Sequence, residues 1–209
     1  MRLQIYKLKI TFQWDFLINL YFFLIKSLTV LFIGNYYMKK IILVGYMGSG
    51  KTTIGKLLSE TLGIPFYDLD NLIANEEESS VQNIFSKKGE IYFRKLESKL
   101  FRDFINTSNS FVLSIGGGTP CYANNHLILQ NDGIDSFYLK NSTEALVNRL
   151  KAEKQHRPLI SNLSDEDLQD FVRKHLFERN YFYFQSKNTI ETENKTAIEV
   201  VNAILEKLA

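Results

Sequence analysis

Cysteine is nearly absent: 209 residues contain one, Cys121. A lone thiol excludes an intramolecular disulfide and fits a reducing compartment. The three histidines are scattered, and with one cysteine they offer no spacing that builds a zinc site. A surplus of charge is missing too. The formal net charge of +2 lacks the basic footprint of a nucleic-acid surface, so no nucleic-acid partner is expected. Internal repeats and low-complexity segments are also absent. What is present is a chain 45% hydrophobic, long enough for one globular domain with a core, or one domain with an appendage.

The charge is unevenly spread. Residues 1–37 hold four cations (Arg2, Lys7, Lys9, Lys26) and one anion (Asp15), which leaves 21 cations and 22 anions for residues 38–209. The same segment carries two uncharged apolar runs, 16–25 and 27–37, split by Lys26. A membrane-spanning helix needs about 20 predominantly apolar residues, and these runs reach that length only by burying Lys26. A secretory signal would end in a small-residue cleavage site, and none follows. Met38-Lys39-Lys40 ahead of an apolar strand is also how many cytosolic enzymes begin. Residues 1–37 are therefore an apolar N-terminal extension with three readings: a mis-assigned start, a membrane anchor, or an extra packed helix. No membrane partner is expected unless residues 16–34 are a true anchor.

From Met38 onward the pattern alternates. Strands are expected at 41–44, 64–68, 111–115, 136–139 and 189–192. Helices are expected at 51–62, 79–86, 90–105, 143–151, 165–184 and 196–208. In the first helix Ile54, Leu57, Leu58 and Leu62 share a face, and Gly89 separates the second from the third. Short strands alternating with helices predict an α/β fold, a parallel sheet covered on both faces.

Directly behind the first strand stands GYMGSGKTT, residues 45–53. It fits G-x-x-x-x-G-K-[ST] in the strand–loop–helix context that gives the pattern its meaning. The glycines let backbone N–H groups turn inward, and the following helix aims its positive end at the same spot. Lys51 can reach outer phosphates, and the Thr52 hydroxyl can ligate Mg²⁺. A nucleoside triphosphate is thus expected here.

Three further stretches bear on the acceptor. In FYDLDN (66–71), Asp68 and Asp70 stand at the carboxyl end of the second strand, where open parallel sheets bind ligands. Two apart on an extended chain, they would share a face. Asp68 would then serve Mg²⁺ and Asp70 would accept a hydroxyl proton; the plainer reading is a solvated turn. In GEIYFRKLE (89–97), Arg94 is either a ligand or a snorkelling helix residue. In SIGGGTP (114–120), three glycines suit a close backbone approach or a loose turn.

The full string resembles the shikimate kinase family: GYMGSGKTT, YDLD, GExxFRxxE and GGGTP, then RLKAEKQHRPLI (149–160) and ERNYFYF (178–184). The resemblance spans residues 38–209. It implies a P-loop kinase fold, a five-stranded parallel sheet flanked by helices with a mobile lid between residues 151 and 165. It implies transfer of the γ-phosphate of ATP to the 3-hydroxyl of shikimate, on the route to chorismate and the aromatic amino acids. By motif, Gly48, Ser49, Gly50, Lys51, Thr52 and Thr53 cradle ATP, with Arg149 near adenine and Arg157 of the lid on the phosphates. Thr52 and Asp68 serve Mg²⁺. Asp70 holds the shikimate hydroxyls. Arg94 and Arg179 take the carboxylate, while Gly117 and Gly118 offer backbone. Lys51, Asp70 and Arg157 are the implied catalytic residues.

Fixed arginines suit a small carboxylate because the guanidinium matches it with two parallel bonds. His156, beside Arg157, reads as a solvated lid residue. Cys121 reads as a packed thiol, since the chemistry needs no nucleophile. A monomeric cytoplasmic enzyme is expected. A gluconate kinase would share the loop and sheet but not GExxFRxxE followed by GGGTP. A membrane-tethered module without catalysis would be expected to have lost motif residues, and all are present.

Overall fold

The computed structural model describes residues 39–107, 109–154, 157 and 159–209. The apolar runs of the N-terminal extension and His156 lie outside the described residues. The described part opens with strand β1 (Lys40–Val44), helix α1 (Lys51–Leu62) and strand β2 (Phe66–Asp68). Helices α2 (Leu69–Glu76) and α3 (Val81–Ile105) lead to β3 (Phe111–Ser114). Then come β4 (Ile134–Lys140), α4 (Thr143–Glu153), α5 (Asp165–Tyr183), β5 (Asn188–Glu191) and α6 (Ala197–Leu208). The strands pair in parallel in the order β2-β3-β1-β4-β5.

The central strand explains the two-sided architecture. Ile41, Ile42, Leu43 and Val44 are all shut off from solvent. Side chains alternate across a strand, so Ile41 and Leu43 join a core under α1 and α6 that also holds Ile54, Leu58, Val201 and Ile204. Ile42 and Val44 point the other way, to a larger core with Leu69, Phe101, Leu146 and Val172 from α2 to α5. A strand buried on both faces must read as a continuous apolar run, as this one does. Burying each such side chain contributes about 1.5–3 kcal/mol.

Local chemistry sets the helix ends. Ser80, Ser142, Ser164 and Thr196 each accept a backbone N–H from the first turn of α3, α4, α5 and α6. At Thr196 the bond is reciprocal, because Glu199 reaches back to the cap N–H at 2.7 Å. Helix α1 lies close against β2. A Cβ added to Gly55 would stand 2.3 Å from the Phe66 ring, so this face of the helix must be bare.

Three expectations need correction. The second strand begins at Phe66, not 64, because Ile64 and Pro65 form the exit from Gly63, whose left-handed backbone ends α1. Helix α2 was not expected. It starts at once from β2 with no turn residue between, capped by Asp68. Asp68 and Asp70 are therefore not neighbours on one extended chain: Asp68 closes the strand and Asp70 sits in the first turn of the helix. Elsewhere β4 and α4 run a residue or two beyond their expected ends, and two short 3₁₀ turns, Thr119–Cys121 and Asn125–Gln130, join β3 to β4.

Candidate active site

The sheet order places β1 and β3 side by side, and the chain leaves their carboxyl ends in two glycine-rich turns. The first is the loop 45–50 and the second is 116–118. The backbone N–H of Ile115 donates to Leu43 O at 3.2 Å, which ties the second turn to the base of the first. In open parallel sheets this crevice is where ligands bind. Here it is a cavity of about 500 Å³.

The loop wraps before helix α1. Gly48 and Gly50 take φ of +78° and +91°, and the Ser49 N–H donates to Tyr46 O at 3.1 Å. Lys51 folds back over its own loop and donates to Gly45 O at 2.7 Å and Tyr46 O at 3.0 Å. Burial depresses its ammonium to about 8, against the pull of Asp70 and Asp68 and with Arg157 adding to the depression. A desolvated cation over this loop suits a polyanion.

Across the cavity, the Thr52 hydroxyl donates to Asp68 Oδ2 at 3.4 Å, while Asp68 Oδ1 accepts the Asp70 N–H at 3.1 Å. Asp70 is pushed up to about 6, first by desolvation inside the concave site, then by the neighbouring carboxylates Asp68 and Glu97, against Lys51 and Arg94. Its side chain still opens to solvent, so water screens part of this effect. Arg149 donates to Gly48 O at 3.2 Å and to Asn141 Oδ1 at 2.9 Å. Arg157 is bound through Nε to Glu153 at 3.0 Å, four residues back.

The cavity wall thus gathers eleven of the residues named from sequence: Gly48 to Thr53, Asp68, Asp70, Gly117, Arg149 and Arg157. Arg94, Gly118 and Arg179 are not on that wall. They stand behind the glycine turn. A Cβ on Gly118 would sit 2.6 Å from Arg94 Nη1, and one on Gly117 would come within 3.6 Å of Arg179 Nη1. Only bare backbone at Gly118 lets Arg94 approach so closely, whereas Arg179 stands at ordinary contact distance from Gly117.

Glu97 closes the GEIYFRKLE stretch, and the sequence alone assigns it no role. It is 1% exposed, pairs with Arg94 Nη1 at 3.0 Å and accepts the Thr119 hydroxyl at 2.6 Å. It therefore ties the α3 arginine to the residue after the glycines. The signal was available, since positions three apart on a helix face each other. Glu153, Asn141 and Tyr46, which hold Arg157, Arg149 and Arg179, carried no such signal.

A family model for shikimate kinase matches residues 47–209. The shikimate kinase of Flavobacterium psychrophilum is 53% identical over 167 residues, 80% of this chain and 97% of that protein. The chain belongs to the shikimate kinase family. The solved shikimate kinase of Bacteroides thetaiotaomicron superposes with a TM-score of 0.75 at 33% identity, over 81% of this chain and 98% of the other. That of Acinetobacter baumannii, solved in complex with shikimate, gives 0.72 at 32% identity, over 82% and 93%. As a shikimate kinase the protein is a phosphotransferase with ATP as co-substrate, which separates it from the gluconate kinase reading. Among the described residues no helix is long and apolar enough to cross a membrane.

Proposed function

We propose that this site phosphorylates the 3-hydroxyl of shikimate, with Lys51, Asp70 and Arg157 as its catalytic residues. The observation that carries the reading is the convergence of two arginines and one acid on a bare glycine turn beside a phosphate loop. Loop residues Gly48 to Thr53 hold ATP, and Arg149 borders the adenine. Arg94 and Arg179 take the carboxylate of shikimate over Gly117 and Gly118. Asp70 orients the acceptor hydroxyl and accepts its proton as the oxygen bonds to the γ-phosphorus and the bond to ADP breaks. Lys51 and Arg157 neutralise charge on the transferring group.

Thr52 and Asp68 suit Mg²⁺ because both donors are oxygens, 3.4 Å apart at the phosphate loop. No cluster of three acidic, histidine or cysteine ligands exists among the described residues. That fits a metal shared with substrate phosphates rather than caged by protein. Bound there, Mg²⁺ supplies charge neutralisation on the phosphates. The segment between α4 and α5, which carries Arg157, serves as a lid that excludes water. The enzyme acts as a cytoplasmic monomer.

The test is ADP release by the full chain with ATP and Mg²⁺, with and without shikimate. Stimulation by shikimate, lost on adding EDTA, is expected. A folded, ATP-binding protein that shikimate does not stimulate would overturn the reading.

A further inference from the structure

The two arginines behind the glycine turn are held in different ways. Arg94 is paired with Glu97 and reaches Glu90 at 3.4 Å. Arg179, on α5, makes no ion pair among the described residues. It is hydrogen-bonded to the uncharged Tyr183 hydroxyl, and it lies against an aromatic ring. Its guanidinium carbon stands 5.7 Å from the centre of the Tyr46 ring, within the range of a cation–π contact.

Tyr46 is the second residue of the phosphate loop. Its side chain is 1% exposed, and its hydroxyl bonds Nδ1 of His175 at 3.0 Å. His175 lies one helical turn before Arg179 and stacks edge-on against Phe171, centroids 4.1 Å apart. Burial holds the imidazole below its ordinary range, and Arg179 and Lys174 push the same way against Glu178. The Tyr46 phenol is pushed up to about 12 by burial. A neutral imidazole and a neutral phenol therefore clamp the ring at its far end. Its other end is fixed by the loop, since the Tyr46 carbonyl accepts both Lys51 Nζ and Ser49 N–H.

We infer that Tyr46 and His175 are positioning residues for Arg179, holding its guanidinium by a π face so that its whole charge stays available to the substrate carboxylate. This rests on the assignment of Arg179 to that carboxylate. The reason is electrostatic. A carboxylate partner fixes an arginine but cancels its charge, as Glu97 does for Arg94. A ring fixes the plane of the fork while leaving the cation uncompensated, and two-pronged recognition depends on that plane. One arginine is therefore rigid with its charge offset by Glu97, while the other is rigid with its charge uncompensated.

The test compares shikimate and ATP KM values, kcat and melting temperature for the full chain and three variants. Tyr46→Leu removes the π face. Given about 1–2 kcal/mol for a desolvated cation–π contact, shikimate KM should rise roughly tenfold while ATP KM stays within about twofold. Tyr46→Phe keeps the ring and frees it from His175, and His175→Phe frees it from the other side. Each should raise shikimate KM by roughly threefold and leave ATP KM flat, consistent with the worth of one hydrogen bond. If Tyr46→Leu fails to melt cooperatively, the two Phe variants carry the test alone. Unchanged shikimate KM in folded variants would overturn the inference, as would an equal rise in both KM values, which marks a merely structural loop residue. Absence of shikimate stimulation in the wild-type control would instead count against the functional assignment itself.

Discussion

At the scale of single residues, function and stability pull apart at Asp70. Its carboxyl is raised from the ordinary 3.8 to about 6, chiefly by desolvation and then by Asp68 and Glu97. An acid whose folded value is raised favours folding below its unfolded value and loses that contribution as pH rises through about 6. At neutral pH the charged form is a burden on the fold. Asp70→Asn should thus lower kcat by about 10²–10⁴, the usual worth of a positioned proton acceptor. Denaturation without metal or nucleotide should show the variant more stable at pH 7.5, by about 1 kcal/mol once solvent screening of an open carboxylate is allowed for. Below about pH 4 that gain should vanish. Near wild-type turnover would remove Asp70 from the chemistry, and a gain that persisted in acid would assign it to packing instead.

Arg94 shows the reverse coupling. Its partner Glu97 is 1% exposed while Arg94 is 21% exposed, so Arg94→Ala strands a buried carboxylate. The substitution should weaken shikimate binding at least tenfold, as for a lost charge-assisted pair, with ATP affinity nearly intact. It should also cost about 3 kcal/mol of stability. Adding Glu97→Gln should restore the melting temperature and leave shikimate binding weak, as titration calorimetry would read. Recovery of shikimate binding in the double variant would mean that Arg94 matters only as a counter-ion. This pairing was half legible in sequence. The glycine-rich loop announces itself, because its pattern and its strand–helix setting coincide. A glutamate three residues after an arginine looks like any solvated helix pair until the fold buries it.

At the scale of elements, α3 holds a second case. It runs from Val81 to Ile105, yet Gly89 inside it takes φ +79° and ψ 168°. That conformation belongs almost to glycine alone. No atom stands within 4 Å of where a Cβ would lie, so the requirement is purely one of backbone. Gly89→Ala should cost about 1–3 kcal/mol in urea denaturation, with no steric contribution. A neutral result would show that the kink relaxes into continuous helix. The kink was readable because glycine punctuates a helical pattern. Helix α2 was not, for a physical reason: β2 hands over to it through Asp68, whose carboxylate accepts the Asp70 N–H and replaces the turn that usually marks such a junction. The two acids thus looked like turn residues or strand neighbours, while the cap geometry gave them separate positions around one cavity. Arg149 and Arg157 sit near the end of α4, where amphipathic spacing fixes the helix but not the partners Asn141 and Glu153.

At the scale of the whole molecule, the described residues assemble the candidate site within residues 39–209. Among the described residues, the five strands, both cores and the candidate catalytic groups are assembled. The Flavobacterium psychrophilum enzyme is matched over 97% of its own length by 167 residues of this chain. Residues 1–37 also carry the whole of the chain's cationic excess, since residues 38–209 hold 21 cations and 22 anions. The expected outcome is that residues 38–209, expressed alone, fold and release ADP in response to shikimate with kcat and KM within about twofold of the full chain. Sedimentation of the shortened protein should give a single species near monomer mass. Two steps separate the readings of the extension. Equal kinetics would make it dispensable for chemistry, and adding anionic vesicles would then leave the shortened protein free while an anchored full chain co-sediments. A large drop in kcat on shortening, with melting temperature unchanged, would instead make the extension part of the catalytic unit, because lost packing alone would lower stability first.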